Sequence, residues 1–369
     1  MNKTLPIRIL QVSYSMDLGG AETLIMNLYR NIDRTKVQFD FLLHAEEESA
    51  YEEEIIKLGG KIFRIPRFLG YNKLSYDKAL REFLSNHPEH IIIHDHLMDS
   101  ASETFHIAKK MGRITISHSH TEIIEKSLEE RIRFFFRKDL YKNADYRFAC
   151  SKKAGEWLYR NKADFSVIKN GIETDKYAFN EETRKEKRRE LGLADNDYII
   201  GTVGRLVEQK NQKRILEIFS DYLKTNEKGK LVIVGDGPLR ETLEKTAKAL
   251  GVEDHVLFLG SRRDVSSILM AFDIFILTSF SEGLGIVLIE AMASGLSCVF
   301  TDSIPHEVDI IPELIKRISL DSGNSEWLKA INESSKDYNR TLSYKRVKDS
   351  GYDIEETAKK LESFYLSLY

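Results

Sequence analysis

Cysteine is almost absent: Cys150 and Cys298, far apart and each in an apolar setting, are the 2 in 369 residues. A disulfide framework is excluded, and a reduced, intracellular protein is expected. Long apolar runs are missing too. None approaches the ~20 residues that span a bilayer, and residues 1–12 show neither an apolar core nor a cleavage site. The expectation is a cytoplasmic chain, at most peripheral on the inner face of a membrane. Charge of one sign is not in excess: 55 Lys and Arg against 58 Asp and Glu leave a formal net charge of -3. That balance argues against nucleic acid as the partner. G-x-G-x-x-G, G-x-x-x-x-G-K-[ST] and H-E-x-x-H all fail to occur, and Gly235-Asp236-Gly237 lacks a third glycine. A dinucleotide fingerprint, a P-loop and a helix-borne zinc motif are thereby set aside.

What is present is alternation. Residues 7–12, 39–43, 61–65, 91–94, 114–117 and 146–149 read as strands, with helical periodicity between most of them, as at 79–85 and 100–111. Val167-Ile168 before Asn170-Gly171 reads as the last strand and turn of this half. Residues 180–192, rich in Glu, Lys and Arg, read as a linker helix. A second series follows at 199–203, 231–234, 256–259, 274–277 and 297–300. Alternation of this kind makes a parallel sheet covered on both faces. The fold class expected is α/β, with two Rossmann-like doubly wound domains facing an interdomain cleft. They are placed at 1–178 and 197–350, joined by a linker at 179–196, with a helix at 351–369 crossing back to the first. In that helix Leu361, Tyr365 and Leu368 share one side, so it packs against something.

The most informative stretch runs from Ser281 to Gly295, between two apolar strands. It reads as a glycine-punctuated loop, a short helix over 286–294 and Gly295 as its C-cap. Glycines let backbone N–H groups approach a ligand, and a helix start favours an anion. Glu282 and Glu290 then stand at the carboxyl edge of a parallel sheet, where carboxylates suit sugar hydroxyls. The plainer reading is a cap and a solvated face. Gly19-Gly20 opens a helix after the first strand, which suits phosphate or a simple tight turn. Arg205 and Lys210, after Gly204 at the end of another strand, are placed either to clamp a diphosphate or to be solvated surface cations.

His94-Asp95-His96 and His118-Ser119-His120 sit at two further strand ends. His-x-His on a strand shares one face and can bind zinc. Without a supporting cysteine, hydrogen bonding to a substrate is the preferred reading. Asp195-Asn196-Asp197 lies in a polar stretch before a strand and reads as a turn. The basic and aromatic run at 131–142 suits either an anionic membrane surface or a core helix with wet arginines.

The ordered set resembles the retaining glycosyltransferases of family 4, which have the two-domain GT-B fold. It comprises Glu282 and Glu290 as E-x7-E, Gly204-Arg205 with Lys210, Val234-Gly235-Asp236-Gly237-Pro238, Phe258-Leu259-Gly260 and Gly19-Gly20, covering nearly the whole chain. Gly19 to Thr23, Tyr29 to Asp33, His118-Ser119-His120 and Ala149-Cys150-Ser151 are similar to an EpsF-like subgroup that makes capsule and exopolysaccharide. The subgroup likeness includes Asp302-Ser303-Ile304-Pro305-His306-Glu307. That loop departs from the family's usual Gly-Gly before Pro-Glu, so no role is carried over there.

The resemblance implies a hexosyltransferase using a nucleotide-sugar, UDP-sugar favoured, and a polyprenyl-diphosphate-linked saccharide as acceptor. Arg205 and Lys210 would neutralise the departing diphosphate, and Glu290 would accept from the ribose. Glu282 would hold the donor sugar together with the backbone of Gly283, Leu284, Gly285 and Ile286. Gly204 and Gly235 belong to the donor loops, Arg262 would frame the base, and Gly19 and Gly20 would close on the phosphates. His120, or else His118, would touch the sugar from the opposite wall. No metal or other cofactor is implied, because two cations do that electrostatic work. A catalytically silent nucleotide-sugar-binding partner of another transferase is the alternative, against which the intact motifs count. An epimerase or a pyridoxal-phosphate phosphorylase of similar fold is a further one. The expected acceptor loops at 14–18, 68–74 and 120–127 carry no decodable motif.

Overall fold

Strands of this chain alternate apolar residues between two faces, and both faces are covered. In β1 (Ile7–Ser13) and β2 (Val37–Leu43), Ile9, Phe39 and Phe41 join one core cluster while Leu10, Val12 and Leu42 join another. β2 is buried at all 7 positions, as a strand with helices on both faces must be. β3 (Ile62–Arg64), β4 (Ile92–Asp95), β5 (Ile114–Ser119), β6 (Tyr146–Ala149) and β7 (Ser166–Val167) complete a parallel sheet of order β3-β2-β1-β4-β5-β6-β7. The computed structural model describes residues 5–97, 100–120, 140–160, 162–334 and 338–369. Residues 131–139 of the basic and aromatic run lie outside these.

The helix Gly20–Asn31 packs on one face of that sheet, and Lys73–Asn86 and Ala101–Lys110 pack on the other. The last helix, Ile354–Ser367, returns to the first face. Asp353 caps it by accepting from the N–H groups of Glu355 and Glu356. Leu361 and Tyr365 are buried, and the Tyr365 ring meets Phe39 edge-on at 6.0 Å. Gly171, expected in a turn, is instead a close-approach site. A Cβ there would lie 2.7 Å from Ile354 Cα, where residue 172 forms a parallel bridge with Asp353. Contacts accordingly divide the chain into Met1–Ile172 with Asp353–Tyr369, and Glu173–Tyr352.

The second unit holds β8 (Tyr198–Val203), β9 (Gly229–Val234), β10 (Val256–Phe258), β11 (Ile274–Leu277), β12 (Ser297–Thr301) and β13 (Ile315–Ile318). Their order is β10-β9-β8-β11-β12-β13, again parallel. β13 is absent from the sequence reading because its Lys316 and Arg317 interrupt the apolar run on a short edge strand. In each sheet the order reverses beside the first strand, which leaves a crevice at the carboxyl ends.

The helix Glu181–Glu190, expected in the linker at 179–196, belongs to this second unit. Arg184 donates to the carbonyls of Met270, Ala271 and Phe272 at 3.0, 3.1 and 2.7 Å, and Arg188 donates to Ala271 O at 3.0 Å. Both also reach Asp273, at 2.5 and 2.7 Å. Two arginines one turn apart thus cap the end of the helix Val265–Ala271. Asp195-Asn196-Asp197 forms a turn, with Asp197 accepting from Ala194 N at 2.8 Å.

Candidate functional site

In the second unit the loops after β8 and β11 are stitched together. Asn211, held at φ 51°, accepts from Thr278 Oγ1 at 2.8 Å and donates to Thr278 O at 3.2 Å. Gln209 donates to Ser281 O at 2.9 Å and accepts from Phe280 N at 2.9 Å. Across this seam Lys210 Nζ lies 2.5 and 2.7 Å from the two oxygens of Glu282, which also accepts from Ser279 Oγ at 2.7 Å. The carboxylate is 9% exposed and the ammonium 22%, so little water screens the pair.

Glu282 precedes Gly283 and Leu284, and Gly285 adopts φ +85° as N-cap of the helix Ile286–Ala293. Only glycine takes that left-handed cap without strain, so Gly285 sets the direction in which the helix start points. Glu290, one turn in, accepts from the Tyr177 hydroxyl at 2.8 Å. Burial pushes its carboxyl up to about 7, the Tyr177 bond pulling the other way.

Arg205 is exposed, and its side chain meets no hydrogen-bonding or ionic partner among the described residues. Its backbone is pinned by Gln212 at 2.8 Å, so the head is free while the loop is fixed. Gly204 lies against Lys210, a Cβ there reaching its Cδ at 3.8 Å. Gly235 and Gly237 allow two loops to touch: a Cβ at Gly235 would fall 2.0 Å from Gly204 O, and one at Gly237 2.5 Å from Leu206 O. Arg262, by contrast, is tied into its own surface, to Asp264 at 2.7 Å through two nitrogens and to Glu190 at 2.8 Å. Glu282, Glu290, Lys210, Gly204 and Gly235 are thus linked by contacts or short loops, whereas the Arg262 head is already engaged.

In the first unit the carboxyl ends of β4 and β5 place four imidazoles on one face. Gln11 of β1 is in register with His94. Gln11 Oε1 accepts from His96 Nε2 at 2.8 Å, and His96 Nδ1 is 2.7 Å from His120 Nε2. The bond to Gln11 places the proton of His96 on Nε2, so His96 Nδ1 accepts and His120 donates. Among the described residues Nδ1 of His120 is left buried without a partner, and both ring nitrogens of fully buried His118 are likewise unpartnered. His94 Nδ1 bonds the Tyr365 hydroxyl at 2.6 Å. Burial lowers His120 to about 4 and holds His94, His96 and His118 well below their ordinary value.

One ligand atom each from His94, His96 and His118 lies within 4.8 Å of the others, but the rings of His94 and His96 bond Tyr365, Gln11 and His120 rather than a carboxylate. Gly19 is the N-cap of Gly20–Asn31, and a Cβ on Gly20 would meet nothing within 4 Å, so packing in the chain itself does not demand a glycine there.

Sequence reasoning passed over three members of these sites. Gln11 sits in a strand otherwise read as core, and Tyr177 in a segment with no motif. Asp95 was merely the middle of His94-Asp95-His96. It is fully buried, accepts from Leu97 N at 2.7 Å and has Oδ2 unpartnered among the described residues, and burial raises it to about 8. A charged residue between two histidines in an apolar strand was the available signal.

Two doubly wound units, each with polar groups gathered at its carboxyl edge, define the GT-B class. HepE of Anabaena, solved with UDP, superposes with a TM-score of 0.79 over 98% of this chain and 100% of its own, at 19% identity. WaaG, a glycosyltransferase of lipopolysaccharide biosynthesis, gives a TM-score of 0.74 over 96% and 99%, at 17% identity. The family description "Glycosyltransferase Family 4" fits residues 18–176, and "Glycosyl transferases group 1" fits residues 183–352. A Bacillus subtilis (strain 168) chain named "Putative glycosyltransferase EpsF" is 32% identical over 97% of this chain and 96% of its own. An Escherichia coli UDP-Gal:alpha-D-GlcNAc-diphosphoundecaprenol alpha-1,3-galactosyltransferase is 35% identical over 39% of this chain and 38% of its own. The protein belongs to glycosyltransferase family 4, and it is a glycosyltransferase of GT-B fold.

Proposed function

We propose that this glycosyltransferase moves a hexose-type sugar, with retention, from a UDP-sugar to a polyprenyl-diphosphate-linked saccharide during synthesis of a cell-surface polysaccharide or capsule. The observation that carries the reading is the Lys210–Glu282 pair, 2.5 Å apart beside the start of the helix that bears Glu290. A nucleotide-sugar needs cations for its diphosphate and acceptors for its hydroxyls, and both kinds stand there on one fixed seam. HepE holds UDP or UDP-glucose in its own crystals, and the Escherichia coli relative is named for a UDP-sugar and a diphosphoundecaprenol acceptor. These support the donor and acceptor classes.

In the mechanism, Arg205 and Lys210 take up charge as the diphosphate leaves, and the N–H groups of Gly283, Leu284, Gly285 and Ile286 face the same anion. Because that charge grows in the transition state, the interactions lower the barrier more than they tighten ground-state binding. Lys210 then exchanges one anion for another, leaving Glu282 free to accept from the sugar. Glu290 turns from Tyr177 to the ribose, Gly19 and Gly20 admit the phosphates, and the bare Nδ1 of His120 accepts a sugar hydroxyl. With two side-chain cations on the diphosphate, the transfer needs no metal ion. Arg262 contributes by shaping its loop, its head being held by Asp264 and Glu190. The 131–142 run is proposed to touch the cytoplasmic membrane surface where the acceptor resides.

A thermal-shift panel of UDP-, GDP-, ADP- and dTDP-sugars, with and without EDTA, tests this. A ligand at about 100 times its Kd stabilises by ~2.7 kcal/mol. One UDP-sugar should stand out, EDTA should change nothing, and Arg205→Ala should weaken UDP about tenfold or more. A panel without any response, or a response lost in EDTA, refutes the donor or the metal-free transfer.

A further inference from the structure

At the amino end of β4, opposite to the end that carries His94-Asp95-His96, the turn His87-Pro88-Glu89-His90 gathers a second group of ligating atoms. We propose that His87, Glu89 and His90 form a site for one divalent transition-metal ion, Zn2+ being the best fit. One nitrogen of each histidine and a Glu89 carboxylate oxygen all lie within 4.8 Å of one another. His87 Nδ1 and Glu89 Oε1 are already 3.2 Å apart. The turn holds them together, His90 N bonding His87 O at 3.3 Å.

His90 supplies the second observation. Its ring is fully buried, Nε2 is 2.8 Å from Asp40 Oδ2, and Nδ1 has no partner among the described residues. Asp40 also accepts from Arg8 and from Lys61 N, so it is a carboxylate and can only accept. Nε2 of His90 is therefore the donor to Asp40, and in the neutral ring Nδ1 is a bare lone pair in a dry setting. A carboxylate behind the far nitrogen is the usual support of a metal-bound imidazole, fixing its tautomer and raising its basicity. Left alone, that buried lone pair is a cost, and a metal ion removes it. Phe63 and Phe83 wall the two rings, with centroids 4.5 and 4.7 Å from His87 and 5.8 and 5.9 Å from His90.

The distances permit closure. Ligand atoms around tetrahedral Zn2+ at about 2.0–2.1 Å stand roughly 3.4 Å from each other. The widest separation must shrink by at most about 1.4 Å. His87 and Glu89, 27% and 36% exposed, can move that far and leave a side open to water as fourth ligand. Two imidazoles and a carboxylate also balance the charge better than the all-imidazole group of His94, His96 and His118, where a doubly charged ion would be buried without an anion. Mixed nitrogen and oxygen ligands favour zinc over magnesium or calcium.

The test uses the full chain, freed of any tag and stripped of metal, titrated with Zn2+ by calorimetry and with Co2+ by visible absorption. One equivalent should bind, with tetrahedral d–d bands for Co2+ and a Zn2+-dependent rise in unfolding temperature. His87→Gln and Glu89→Gln should each weaken Zn2+ at least tenfold, whereas His106→Gln, on an exposed helical position, should not. Both substitutions leave the buried His90 intact, and the unfolding temperature of each metal-free variant checks that folding is kept. Absence of saturable uptake overturns the proposal. So does one equivalent retained unchanged in the His87→Gln/Glu89→Gln double variant, which would put the metal elsewhere.

Discussion

Replacing Lys210 with methionine separates the two jobs assigned to the Lys210–Glu282 pair. Glu282 keeps Ser279 Oγ as donor but loses both ammonium contacts, at 2.5 and 2.7 Å. Breaking a fully buried pair costs about 3–5 kcal/mol because one charge is stranded. With 22% of the lysine and 9% of the glutamate side chain exposed, about 2 kcal/mol is the discounted figure. For a unit of this size that is a fall of roughly 4–8 °C in unfolding temperature. Lys210→Met with Glu282→Gln removes both charges and should regain most of the stability. Turnover should not return: losing one preorganised donor to a developing anion costs about 10²–10³ in kcat. Differential scanning at pH 7.5, with turnover of the parent and the two variants, reads both effects. A Lys210→Met protein as stable as the parent at pH 7.5 would refute the electrostatic argument. Activity regained in the double variant would refute the catalytic one.

Two further outcomes follow from buried titratable groups. Glu290, raised to about 7 by burial, holds a proton at mildly acid pH that a ribose hydroxyl must not encounter. UDP affinity should drop by up to about tenfold per pH unit below 7, and Glu290→Gln should leave only the ligand's own titration; an unchanged profile in the variant would remove Glu290 from the site. His94, His96, His118 and His120 are neutral in the fold, with values depressed by burial. Their contribution is therefore fully present above the unfolded value of ~6.5 and is lost as pH falls below it, by about 1 kcal/mol per ring at pH 5.5. Urea midpoints at pH 7.5 and 5.5 should show that drop, reduced in His94→Gln; equal drops in both proteins would contradict it.

Periodicity was enough to reveal the two sheets, because strands buried on both faces must be continuous apolar runs and their helices must alternate with them. The glycines of the loop before Ile286 were legible as a place of close backbone approach, whereas the touching loops at Gly235 and Gly237 and the left-handed cap at Gly285 emerged only in the fold. Glu282, Glu290, Arg205 and Lys210 stood out as charges at strand ends. Their partnerships did not. Lys210 and Glu282 are 72 positions apart, and Tyr177 and Glu290 are 113 apart. No pattern within either segment specifies which distant group will meet it.

The helix Glu181–Glu190 makes the same point from its composition. Its charges look like those of a solvated linker, yet Arg184 and Arg188 cap another helix more than 80 residues away. His90 looks like one more histidine until Asp40, 50 residues earlier, is brought against it. By itself the sequence determined which segments become strands, where charge must gather at their ends, and the family to which the chain belongs. Tertiary structure alone decided which charges are paired, which lone pairs are left bare and which carboxyls keep their protons. Those properties depend on desolvation and on groups a few ångströms away, and chain order specifies neither.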